Sequence, residues 1–166
     1  MSKIVSYDQE GEYMNVKFIN PFLDGTVSVL KTMSFVEPRA SKPYLKIDNL
    51  AKGDISGIIG LTGSATGSLA LSFSEGAILK IVSNMLGEPI KSLNSDIKDA
   101  VGEITNMISG VARKNLEAEG FYIQAAIPTV VSGKNHSITH VMGGPSLIIP
   151  FEIDEGTFVV DVCLSE

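Results

Sequence analysis

Asp99, Glu103 and Asn106 follow one another at intervals of four and three residues, and Gly110, Arg113 and Glu117 continue the series at four, three and four. On a helix turning about 100° per residue, the first three side chains fall within about 60° of one another. A glutamate can hold a cation. An asparagine one turn away offers an acceptor and donors, so it can orient a water. Such a pair positions reactants and does not attack them. A solvated helix face has the same polarity, but Glu, Lys, Gln or Ala would fill it best. Here Gly102, Thr105, Asn106 and Gly110 each forgo about 0.5–1 kcal/mol of helix propensity against Ala. Glycines beside a polar stripe let another backbone come close.

The element that carries this stripe is a long helix expected over about Ser95–Glu119, capped by Asn94 or Ser95 and ended by Gly120. Ile97, Ala100, Val101, Ile104, Met107, Ile108 and Val111 supply its apolar face. A second long helix is expected over 20–35, with Asn20 as N-cap and Pro21 at the first helical position. Met14 to Ile19 could add a helical segment before it, and residues 1–12 read as a loose start. A shorter helix, 75–87, ends at Gly87. Strands are expected at 44–48, 55–63, 66–74, 123–132, 146–154 and 157–165, with tight hairpin turns at Ser64-Ala65 and at the Asp154-Glu155-Gly156 run. Residues 133–145 read as an exposed loop or irregular strand.

That order gives helix–strand–strand–strand–helix, then helix–strand–strand–strand. The run 66–75 also resembles 155–166 in its glycine, its alternation and its final Ser-Glu. The expected fold is α+β, an α/β sandwich. A duplicated α-βββ unit, about 14–90 and 95–166, builds an antiparallel-rich sheet with two long helices on one face. The whole chain, 1–166, forms one domain.

Composition narrows the function. A net charge of −6 argues against nucleic acid and against anionic membranes. No apolar run approaches the roughly 20 residues of a spanning helix. The single cysteine, Cys163, cannot form an internal disulfide, and the start of the chain is too polar for a secretion signal, so a cytoplasmic protein is expected. His136 and His140 lack the accompanying ligands of a metal site. The glycine-rich run 60–68 has no GKS or GKT ending. No serine lies in a Gly-x-Ser-x-Gly context. Cys163 reads as a small core or interface residue.

The series Asp99-x3-Glu103-x2-Asn106, with Pro128 after 21 further residues, resembles the signature of the CheC/CheX/FliY chemotaxis phosphatases. Their pattern has Asp or Ser, Glu and Asn at the same spacing and a proline about twenty-two residues on; this chain is one shorter. The opening of the first long helix resembles the CheX branch. The resemblance implies hydrolysis of the aspartyl phosphate on a CheY-like receiver domain. Carried over by position, Glu103 engages a receiver lysine and Asn106 orients the attacking water. Asp99, with Gly102 and Gly110, falls to substrate docking. The resemblance implies no cofactor or metal on this chain, Mg²⁺ in the receiver's own pocket, and a homodimer. In the first half Lys17, not an acid, stands three before Asn20, and Pro21 follows, so one working site is expected. The alternative is a receiver-binding or flagellar-switch-like adaptor that uses the same helix face without catalysis.

Overall fold

A computed structural model describes residues 16–46, 51–138 and 146–165. The loose start expected at 1–12, residues 14–15, the end of the strand expected at 44–48, and residues 139–145 with His140 lie outside them.

A short 3-10 turn, Val16–Phe18, leads into α1, Ile19–Ser34. Asn20 is therefore not the N-cap. Phe18 occupies that place without a side-chain hydrogen bond, and Asn20 lies exposed in the first turn. Pro21 is tolerated there because the first N–H groups of a helix have no intrahelical acceptor. Helix α1 ends on Phe35, an 80% exposed residue in the left-handed region at φ 58°. Helix α2, Glu75–Leu86, starts on Ser74, whose hydroxyl accepts from the Ala77 N–H, and stops at Gly87 with φ 69°.

Helix α3, Ser95–Glu117, is the longest. The Asn94 side chain accepts from the Ile97 N–H at 3.0 Å, as the sequence predicts. At its far end the Phe121 N–H bonds the Leu116 carbonyl and the Gly120 N–H that of Glu117, with Gly120 at φ 90°. These are the paired bonds of a Schellman stop.

The strands are β1 (Arg39–Ala40), β2 (Tyr44–Lys46), β3 (Ala51–Gly63), β4 (Thr66–Phe73), β5 (Ile123–Ala125), β6 (Thr129–Ile138), β7 (Ser146–Ile153) and β8 (Gly156–Ser165). They join in one antiparallel sheet of order β1-β7-β8-β4-β3-β5, with β2 also on β7 and β6 also on β3. This is the α+β arrangement expected, and α1 and α3 cover one face.

One strand reading changes, and one left between two alternatives is settled. The 123–132 run is not one strand. It breaks at Ala126–Pro128 into β5 and β6, because proline has no N–H for the ladder to β3. Residues 133–138, expected as exposed loop or irregular strand, are strand, the second half of β6, so His136 sits in an edge strand.

The core lies between the sheet and the helices. Phe73, Phe151 and Phe158 stack through it, with ring centroids 5.2 Å and 5.1 Å apart. Ile97, Val101, Ile104, Ile108 and Leu116 of α3 face it, with Thr105 and Ser109 buried among them. The Thr105 hydroxyl donates to its own helix at the Val101 carbonyl, 2.7 Å away. Small residues set the layer spacing. A Cβ at Gly57 of β3 would overlap the Thr105 hydroxyl, and one at Gly25 of α1 would lie 3.3 Å from the Ile108 carbonyl. These glycines let α3 settle onto the sheet and α1 cross α3.

Candidate functional site

Asp99, Glu103 and Asn106 are all exposed on the ridge of α3 that faces away from the core. Among the described residues no hydrogen bond or ion pair engages their side chains. Their side chains are free to meet something outside the chain, and the burial of Ile104 and Ile108 on the opposite face fixes the ridge in place. The fold thus brings together all three polar residues singled out by spacing.

The two glycines of the ridge are half-buried. A Cβ at Gly102 would lie 3.6 Å from Val130 of β6, an ordinary contact, and one at Gly110 would meet only Arg113, at 3.9 Å. Packing within the chain requires glycine at neither position. Thr105 differs: its small size and its hydroxyl are used internally, against Gly57 and Val101.

Beyond Asn106 the ridge runs into an open depression of about 390 Å³, lined by Gly110, Arg113, Glu117, Tyr122 and Gln124 among others. The Arg113 Nε donates to the Ser109 hydroxyl at 3.2 Å, which steadies the guanidinium along the helix. Residue spacing along α3 gives no sign of the wall facing this ridge. It is the β5–β6 corner, where Ile127 is 90% exposed. The only signal for it was the proline that follows, inside a run otherwise read as strand.

Elsewhere the chemistry is structural. The Ser56 hydroxyl lies 2.6 Å from His136 Nε2, and His136 Nδ1 lies 2.7 Å from the Gly133 carbonyl. A carbonyl only accepts, so Nδ1 carries a proton. Ser56 is completely buried, which keeps a substrate from reaching this serine–histidine pair. Cys163 is buried in β8, and burial, then the nearby Asp161 carboxylate, push its thiol above the usual range. Among the described residues no group of three His, Cys, Asp or Glu could hold a metal ion, and no helix is long and apolar enough to cross a membrane. Three residues before Asn20, the Lys17 ammonium sits 4.4 Å from the centre of the Phe121 ring.

Helices on one face of an antiparallel sheet, with an acid and an amide projecting from the longest helix, define an α+β protein whose chemistry is offered outward, to a partner. Comparison with known proteins makes this particular. The family model for the chemotaxis phosphatase CheX matches residues 55–152, which include Glu103, Asn106 and Pro128. The CheY-P phosphatase CheX of Thermotoga maritima is 31% identical over 126 residues, 75% of this chain and 81% of that protein. The crystal structure of a CheC-like superfamily protein from Shewanella sp. PV-4 superposes with a TM-score of 0.87 at 48% identity, covering 92% of this chain and all of the other. A CheX–CheY–BeF3–Mg²⁺ complex from Borrelia burgdorferi matches with a TM-score of 0.76 at 29% identity, over 90% of this chain and 98% of that one. The chain belongs to the CheX family of chemotaxis phosphatases.

Proposed function

We propose that this protein hydrolyses the aspartyl phosphate of a CheY-like receiver domain, with Glu103 and Asn106 inserted beside the phosphoryl group. The observation that carries the reading is the outward, unpartnered placement of these two side chains on one ridge of α3, in a chain of this family. Further support comes from the Thermotoga relative, named a CheY-P phosphatase, and from the Borrelia relative, solved with CheY, BeF3 and Mg²⁺.

In this reading Glu103 forms an ion pair with a lysine of the receiver and draws it off the phosphoryl oxygens. The Asn106 amide holds a water in line with the bond to be broken. That water attacks phosphorus, the bond from phosphorus to the aspartate oxygen breaks, and inorganic phosphate and a free carboxylate result. Little covalent work falls to the protein in such transfers; geometry and charge dominate. Positioning alone can account for several kcal/mol of barrier. The divalent cation belongs to the receiver's acidic pocket. Asp99, Gly102 and Gly110 dock the receiver against the helix. The first half, with Lys17 where an acid would be needed, contributes no second site. The chain works as a homodimer in the cytoplasm.

The test is the decay of a phosphorylated receiver. Wild type accelerates it. Asn106→Ala removes the acceleration, by about 10²-fold or more if the amide supplies roughly 3 kcal/mol, while binding to a beryllofluoride-loaded receiver persists. If wild type binds receivers without accelerating decay, the protein is an adaptor and the catalytic reading is wrong.

A further inference from the structure

We propose that Ile127 is an apolar docking knob that seats in the receiver beside its phosphorylated pocket and fixes how deeply Glu103 and Asn106 enter it. This rests on the phosphatase reading above and deepens it.

Three observations carry it. First, Ile127 is 90% exposed, the most exposed of the large hydrophobic residues described. Single exposed apolar residues are ordinary on surfaces, so the place matters more than the exposure. Second, two contacts fix that place. Gly102 of α3 sits against Val130 of β6, and Gly110 shares its depression with Ile123 and Gln124 of β5. Between these contacts α3 runs through Glu103 and Asn106, and the facing chain runs through the corner Ala126–Pro128. Ile127 therefore stands alongside Asn106. Third, the corner is held. The Ala126 N–H donates to the Gly60 carbonyl at 2.9 Å, β5 is laddered to β3 from Leu61↔Ala125, and β6 resumes at Ile58↔Thr129. Pro128 restricts the backbone of the residue before it to extended conformations. A side chain on so fixed a corner loses little freedom when it is covered, which favours its use as an anchor.

The occupant is the receiver because the knob adjoins the only ridge of the described residues that carries the acid–amide pair. A partner that accepts Asn106 must pass over Ile127. An apolar anchor beside a polar pair also excludes water from it, which strengthens the charge interactions there.

The experiment measures steady-state dephosphorylation of a phosphorylated CheY-like receiver by wild type, Ile127→Ala, Ile127→Leu and Asn106→Ala. Because Ile127 is exposed, Ile127→Ala leaves the thermal transition unchanged. It raises KM about ten-fold with kcat within about two-fold of wild type, and Ile127→Leu restores most of the loss. Loss of Asn106→Ala activity together with an unchanged KM in Ile127→Ala overturns the knob and leaves the phosphatase reading standing. An Ile127→Ala variant whose sedimentation shifts from dimer to monomer, with KM unmoved, also overturns it, since the knob would then serve a second copy. No acceleration by wild type overturns both.

Discussion

Gly57 and Gly102 are both glycines at the surface between α3 and the sheet, yet they answer to different demands. Gly57 has no room for a Cβ because Thr105 fills the space, so Gly57→Ala costs about 1–3 kcal/mol through overpacking. Gly102 has room, so Gly102→Ala gains about 0.5–1 kcal/mol of helix propensity, and Gly110→Ala behaves alike. If these glycines admit a receiver's backbone, both stabilised variants dephosphorylate it more slowly. Paired denaturant titrations and decay assays read the two effects separately. At this scale the sequence carried much of the candidate site. Spacing alone decides which helical residues share a face, so Asp99, Glu103 and Asn106 were legible without coordinates. Composition could not separate Thr105 from its neighbours, since its reason lies on β3, some fifty residues earlier. Ile127 was illegible for a related cause: within a strand-like run an isoleucine reads as core, and only the break at Pro128 turns it outward.

At the level of elements, capping and periodicity worked where local chemistry decides. Asn94, Gly87 and Gly120 mark helix ends as predicted. They failed where tertiary contacts decide. The entry to α1 is set by Phe18 packing edge-on to Phe121 at 5.8 Å, which overrides the Asn20-Pro21 signal. The polar second half of β6 reads as either loop or irregular strand because it is an edge strand with most of its side chains in solvent. That edge is tied down by Asp54. Its carboxylate accepts from the Glu75 N–H at the start of α2 and from the Asn135 N–H of β6, at 2.8 Å and 3.1 Å. Those two backbone bonds, aided by the charges of His136 and Lys134 and opposed by burial, hold it below the ordinary aspartate value of 3.8. A carboxyl depressed on folding stabilises above its unfolded pKa and loses that contribution as pH falls through the folded value. Stability therefore declines on acidification below about pH 4, and Asp54→Asn makes the acid limb shallower. Denaturant midpoints measured from neutral to acid pH check this.

Across the whole molecule, one buried ion pair spans the sheet between the two halves of the chain. The Lys46 ammonium of β2 lies 2.9 Å from the Asp161 carboxylate of β8, and their side chains are 6% and 0% exposed. Removing one partner leaves a buried charge, so Lys46→Met costs about 3–5 kcal/mol. The double variant Lys46→Met with Asp161→Leu recovers most of that, and equilibrium unfolding of the three proteins measures the coupling. The sheet order has the same character. The short strands β1 and β2 lie on β7, β5 and β6 lie on β3, and β4 and β8 meet in the middle. Each half thus completes its sheet with pieces of the other, as two clasped hands share fingers. Severing the chain in the α2–α3 connection would leave two polypeptides that remain locked together and, made separately, should fold only upon mixing.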